Sequence, residues 1–385
     1  MSRREAWADG WLRIRTRWEG PGERTPQYLV LLGAVAVLNI IGCVMVLSAS
    51  SVSSLRNYGS WWYFFQRQLI WTFLGVAAFV LVSRIDYRKL RRAVIPLLVV
   101  TVVLLLVVLV PGIGVKVGGA RRWLGVGSWR LQPSELAKLS LLVYAADVLA
   151  RRADELYDWR RVLRPVLVVS AVVGGLVLIE PDMDSTVVLG LIVASILIVG
   201  GVRMYHLVTL GAIGGVLVTI AAVAEPYRRA RVFSFLHPWD DASNAGYQIS
   251  QSLIAIGSGG WTGVGLGAGR AKWAFLPNAH TDFIFAIIGE ELGLVGCILV
   301  LALFVVVAAA GTATSMRAPD RFGTLLAAGV TVWIVAQAAI NVAAVTALLP
   351  VSGITLPYVS FGGSSLVVTM AASGVLASVA RQCRR

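Results

Sequence analysis

Between Pro277 and Gly293 the chain reads PNAHTDFIFAIIGEELG, which brings three carboxylates, Asp282, Glu290 and Glu291, close together. Asp282 ends a polar cluster (Asn278, His280, Thr281) at the mouth of an apolar run, where an ionisable group is costly unless it has a partner or a task. A positioned carboxylate can take a proton as a general base. The structural alternative is a helix cap, because aspartate accepts backbone N–H bonds and favours the positive end of the helix dipole. Glu290 and Glu291 fall roughly 12–13 Å deeper along the same helix and point about 100° apart. That depth favours a structural bonding role for them over a proton path.

A second constellation, Gln132-Pro133-Ser134-Glu135 with Lys138, opens another apolar run. Proline suits a first helical turn, and Glu135 and Lys138, three apart, share one helix face. They form either an internal ion pair or a charged lining that offers Lys138 to an anion. The preceding loop, 112–131, adds Lys116, Arg121, Arg122 and Arg130 with Trp123 and Trp129. Residues 245–270 begin as an amphipathic helix containing Gln251 and continue into seven glycines, which read as a tightly folded re-entrant loop. The repeated Gly-x-Gly pattern lacks the strand-and-helix setting of a nucleotide fingerprint. Pro350–Ser365, PVSGITLPYVSFGGSS, reads as a broken segment at membrane depth facing protein or water. Gln337 and Asn341 read as interhelical polar bonding groups.

The elements that position these residues are transmembrane helices. Of 385 residues 57% are hydrophobic and 14% charged, with mean hydropathy +0.78, whereas a soluble domain is about a quarter charged. Apolar runs of about 20 residues recur from Tyr28 onwards. Ten spans are expected, near 28–49, 63–83, 93–111, 132–150, 162–179, 185–201, 206–224, 283–309, 323–347 and 363–380. The fold class is therefore an all-α polytopic membrane protein with a large outer loop, 225–282, between spans seven and eight. An even number of spans puts both termini on one side. About 22 of the 34 basic residues fall on that side and about 12 on the other, so the termini are expected in the cytoplasm. Residues 1–26 form a separate basic segment. Trp7, Trp11, Ile14 and Trp18 make one stripe on it, suited to the membrane interface. Residues 381–385 are a short tail. The first apolar run reads as a span, not a cleaved signal. Cys43, Cys297 and Cys383 match no metal or disulfide spacing, and no basic groove-reading domain for nucleic acid is present.

Six blocks in order resemble the SEDS family of polytopic peptidoglycan glycosyltransferases: VLSASS (46–51), GARRWL (119–124), QPSELAKL (132–139), QSLIAIGSGG (251–260), PNAHTDFIFAIIGEELGLVG (277–296) and PVSGITLPYVSFGGSS (350–365). FAIIGEELG and GITLP are more similar to the division and sporulation branch (FtsW-like) than to the elongation branch (RodA-like). One departure is EPDMDST (180–186), where Asp184 stands in place of the usual glycine. The resemblance implies the SEDS fold and the polymerisation of lipid II outside the cytoplasmic membrane. Asp282 would be the general base and Lys138, Arg121 and Arg122 the cations that steady the leaving diphosphate, with Glu135 paired to Lys138. His280, Gln251 and Ser364 complete the expected substrate-binding set. A divalent cation, Mg or Mn, on the diphosphate is the expected cofactor, with no organic one. The implied partners are undecaprenyl diphosphate-linked glycan, a class B penicillin-binding protein, other divisome proteins and membrane lipid. The competing readings are an elongation polymerase and a transporter that flips lipid II; the latter would need alternating access, usually with internal repeats, and none is visible.

Overall fold

The computed structural model describes residues 25–383 except 118–119, 127–128, 156–157, 225–234, 236–238, 240–245 and 274. All but the last two residues of the expected N-terminal amphipathic segment lie outside the described residues, as does much of the loop 225–245.

Ten long helices follow the ten expected spans: α1 Pro26–Tyr58, α2 Tyr63–Arg84, α3 Leu90–Leu109, α4 Pro133–Arg151, α5 Arg164–Ile179, α6 Met183–Val199, α7 Met204–Ala224, α9 Ile284–Arg317, α10 Arg321–Val345 and α11 Gly363–Ala380. The short helix α8, Tyr247–Gly259, matches the amphipathic stretch, and its buried face packs on α9. Seven of the spans are long and apolar enough to cross a membrane by length and composition, and α6 and α7 include shorter apolar helices. Their apolar outer surface, with Phe73, Ile95 and Tyr205 exposed, is that of a membrane-embedded protein. Helix α4 is the exception for a chemical reason. It carries Glu135, Lys138 and Asp147, all buried, which lipid tolerates only when such groups face the bundle interior.

Helices α4, α10 and α11 form the buried centre, with Leu142, Trp333 and Leu376 fully enclosed. The backbone of α2 closes on α11 at Gly374, where a Cβ would lie 2.8 Å from Phe79 O. Thr25 Oγ1 donates to Ala380 O at 2.8 Å, so the two ends of the helical chain meet at one end of the bundle. At that same end Tyr87 and Arg88 bond Asp320 at 2.9 and 2.6 Å.

At the opposite end the loop after α3 adds what the sequence reading left as irregular chain, a small antiparallel sheet of β1 Gly114–Val117, β2 Ala120–Val126 and β3 Trp129–Leu131. Lys116 pairs with Arg121 and Leu124 with Leu131 in its register.

Candidate active site

Helix α9 begins at Ile284 with Phe283 in the cap position, and no side chain bonds the cap. The cap position thus falls one residue after Asp282. Asp282 belongs to a turn closed by Thr281 N–H and Phe283 N–H, which donate to Asn278 O at 3.1 and 3.3 Å. Other elements hold that turn through three consecutive carbonyls. Phe361 N–H donates to His280 O at 3.0 Å. Ser360 Oγ donates to Thr281 O at 2.6 Å, and Asn341 Nδ2 to Asp282 O at 2.8 Å. The backbone of Asp282 is thus fixed from α10 and from the 350–362 segment, and its side chain stays half-buried at the bundle end.

His280 lies between Phe64 and Phe361, with ring centroids 4.5 and 5.8 Å away. Burial pushes its pKa down to about 4, so the imidazole is a neutral packing group at pH 7.

Helix α10 carries the network further. Asn341 Nδ2 also donates to Ile354 O at 2.7 Å, and Gln337 Nε2, one turn away, donates to Thr355 O at 3.1 Å. The two amides expected as interhelical bonding groups therefore also hold the broken segment. Gln337 Oε1 accepts from Lys138 Nζ at 3.1 Å and Trp333 Nε1 at 2.9 Å. Lys138 Nζ also donates to Glu135 Oε1 at 2.8 Å and lies 5.4 Å from the centre of the Trp333 ring. Glu135 and Lys138 are buried as the internal ion pair, not as an open charged lining, and Glu135 Oε2 has no hydrogen-bond partner.

Asp182 is a second hub that the sequence reading passed over. Its Oδ2 accepts from Ser134 Oγ and Gln132 Nε2, both at 2.9 Å, and Oδ1 from Ser185 N–H at 3.2 Å. Arg122 stands 3.8 Å from Asp182 Oδ1 and donates to Glu180 O at 3.1 Å and to Pro181 O. Arg122 thus anchors the α5–α6 connector. Arg121, its neighbour on β2, is in register with Lys116, next to an irregularity in the β1–β2 pairing that leaves Arg122 as the extra residue. Among the described residues neither Arg121 nor Lys116 forms an ion pair. Ser364 Oγ is buried and accepts from Gln132 N–H at 3.2 Å, joining α11 to the start of α4. Asp184 accepts from Gly353 N–H at 2.8 Å, so the carboxylate in place of glycine links the connector to the 350–362 segment. Gln251 is half-buried on α8.

Glu290 and Glu291 are enclosed. Glu290 accepts from Arg270 N–H at 2.6 Å and Ala271 N–H at 3.2 Å. Glu291 accepts from Ser48 Oγ at 2.7 Å, Lys272 Nζ at 2.9 Å and Gly267 N–H at 3.0 Å. The glycine-rich stretch is thus the tightly folded loop expected, laid on α9. Gly293, at φ 66°, breaks the α9 helix there, and a Cβ on it would fall 2.3 Å from Gly263 N. Lys272 and Ser48 are the members that sequence reasoning missed. The signal for Lys272 was a lone cation next to glycines and ahead of two intramembrane acids. Among the described residues no three His, Cys, Asp or Glu side chains converge to hold a metal ion.

The family model described as "Cell cycle protein" (FTSW_RODA_SPOVE) matches residues 28–385. The chain belongs to this family, the SEDS proteins. A SEDS relative from Nitrosococcus halophilus, "Probable peptidoglycan glycosyltransferase FtsW", is 44% identical over 94% of this chain and 95% of its own. "Stage V sporulation protein E" of Bacillus subtilis is 39% identical over 94% of this chain and 99% of its own. A solved structure described as "Structural coordination of polymerization and crosslinking by a peptidoglycan synthase complex" matches with a TM-score of 0.75 at 29% identity, covering 91% of this chain and 96% of that one. Of the SEDS blocks, VLSASS contributes Ser48 to the Glu291 cluster and QPSELAKL contributes the Glu135–Lys138 pair.

Proposed function

We infer that this SEDS protein is a peptidoglycan glycosyltransferase that polymerises lipid II into glycan strands on the outer face of the cytoplasmic membrane during cell division. The observation that carries the site is the fixing of Asp282 through three successive backbone carbonyls at positions 280–282. Such anchoring holds the backbone of a general base in place.

In this reading Asp282 takes the proton from the acceptor sugar 4-hydroxyl. The oxygen attacks the anomeric carbon of the donor muramyl unit, the diphosphate leaves, and a β-1,4 bond forms with inversion. General-base help supplies roughly 10²–10⁴-fold, so the remainder comes from positioning and from charge stabilisation at the diphosphate. Lys138 and Arg122 are committed to buried contacts and act through the frame. Arg121 with Lys116, like charges facing each other across β1 and β2 at a cost to the sheet, is the better seat for the anionic diphosphate. A divalent cation would be held chiefly by the diphosphate, since magnesium commonly binds through substrate phosphates with one or two carboxylates. It would spread the leaving-group charge.

The excess of basic residues at the end bearing the termini supports a cytoplasmic location for that end and an outer location for Asp282. The solved synthase complex supports a class B penicillin-binding protein as partner, with other divisome proteins around it and membrane lipid as the solvent. The test is to give purified protein and its partner lipid II in detergent. Wild type yields glycan polymer and Asp282→Ala does not. Unchanged polymer from the variant, or lipid translocation without polymer, would sink the reading.

A further inference from the structure

Six of the eight residues from Tyr58 to Phe65, at the turn between α1 and α2, are aromatic. None of them takes part in the reaction described above. Tyr58, Trp61 and Trp62 are exposed, at 51%, 48% and 38%. Tyr58 stacks on Tyr63 with centroids 3.7 Å apart and planes 11° from parallel, and Trp61 lies 4.1 Å from Trp62. The row then turns inward. Tyr63 meets Phe64 at 5.3 Å, and Phe64 meets His280 at 4.5 Å and Phe361 at 5.2 Å. The inner end of this aromatic row therefore rests on the turn that holds Asp282, two residues from it, while its outer end is open.

Tryptophan and tyrosine at a membrane interface are ordinary belt residues, and that is the competing explanation. Two features go beyond a belt. The rings form two adjoining groups, Trp61–Trp62–Phe65 and Tyr58–Tyr63–Phe64, and the second reaches the turn that holds Asp282 through His280. Exposed hydrogen-bonding side chains also flank them, with Arg56 and Asn57 on one side and Gln66 on the other. Flat aromatic faces suit the C–H faces of pyranose rings, and amide and guanidinium groups suit their hydroxyl and acetamido substituents.

We propose that the α1–α2 turn is a saccharide-binding shelf for the glycan strand being extended, a run of β-1,4-linked N-acetylhexosamines. This rests on the polymerase reading in that the shelf leads to the site of bond formation. Its role is to keep the strand in place between successive additions, so its loss shortens the product.

The test uses the full chain in nanodiscs of zwitterionic lipid, titrated with chitohexaose, which has the β-1,4-linked N-acetylhexosamine backbone but no lipid and no peptide. The expected result is a saturable change in tryptophan emission, absent with maltohexaose. The affinity should weaken roughly tenfold in Trp61→Ala, the scale of losing one aromatic stacking face, and partly recover in Trp61→Phe. With lipid II and the partner present, Trp61→Ala should give glycan several-fold shorter than wild type. Should Trp61→Ala fail to fold, Tyr58→Ala takes its place in both assays. No saturable response to chitohexaose, or a response equal for both sugars, overturns the proposal. So does a tryptophan signal that follows lipid composition alone. The binding measurement needs no turnover: wild type that binds chitohexaose but makes no polymer upholds the shelf and defeats the polymerase reading. Normal polymer from wild type without chitohexaose binding does the reverse.

Discussion

Two groups of carboxylates lie on one short stretch of chain, and their surroundings separate them. Asp282 is half-buried in a turn whose backbone, not its side chain, is bonded by Asn341. Glu290 and Glu291 are enclosed, and their oxygens accept from Arg270 and Ala271 N–H and from Ser48, Lys272 and Gly267 respectively. A buried carboxylate supplied with donors is a fastener. Asp282 is set apart by its backbone, which other elements fix at three successive carbonyls. Carboxylates within ten positions of one another thus sit in unlike surroundings.

The contrast breaks most sharply on activity. Asp282→Asn keeps the carbonyl that Asn341 bonds and removes only the base. Polymerisation is expected to fall by about 10²–10⁴-fold, with the thermal unfolding midpoint close to that of wild type. If the polymerisation rate holds, Asp282 and the glutamates are not different in kind.

Next in size is Glu291→Ala. It leaves the Lys272 ammonium, 4% exposed, enclosed without its carboxylate, and breaking such a pair costs about 3–5 kcal/mol. The expected readout is a large drop in unfolding midpoint, with loosening of the 260–276 loop seen as faster backbone hydrogen exchange. A stable protein with an intact loop would reduce the cluster to decoration. Asn341→Ala sharpens the comparison from the other side. It orphans the carbonyls of Asp282 and Ile354, each costing about 1–3 kcal/mol if left dry. Activity should fall further than the same loss of stability would predict, because the base moves.

Much of this was legible in the sequence. Each of the ten spans has its helix, because runs of apolar residues long enough for a bilayer leave few alternatives. The division of labour between Asp282 and the two glutamates followed from depth along one helix. The misses have a common cause. The turn before α9 is held at its carbonyls by Ser360 and Asn341, both remote in sequence. Arg121 and Arg122 read as a pair, yet Arg122 is taken by the α5–α6 connector while Arg121 is in register with Lys116, and the strand itself went unread. The Gly118-Gly119 pair between two short runs was the hairpin signal available. Lys272 and Asp182 also bond Glu291 and Ser134, 19 and 48 residues away, a distance that local pattern does not reach.

The smallest expected effect concerns a third kind of carboxylate, buried without donors. Glu180 ends α5 fully enclosed, with neither oxygen hydrogen-bonded. Burial, and next the charge of Asp182, push its pKa from 4.5 up to about 8, with Arg122 pulling the other way. A folded-state pKa above the unfolded one means that the native state holds the proton more tightly. Its stabilising contribution is complete below about pH 4.5 and is lost as pH rises through about 8. Glu180→Gln carries a permanently neutral group of the same shape, so its unfolding midpoint should gain on wild type steadily across that window. His280 has the opposite sign. Its pKa is lowered from 6.5 to about 4 by burial, so its contribution is present above 6.5 and is lost as pH falls toward 4. A difference curve between Glu180→Gln and wild type that rises between pH 5 and 8 supports a buried neutral acid at the connector. A flat curve, or one that falls, would mean that Glu180 is ionised and held by donors, which would return it to the class of Glu290 and Glu291.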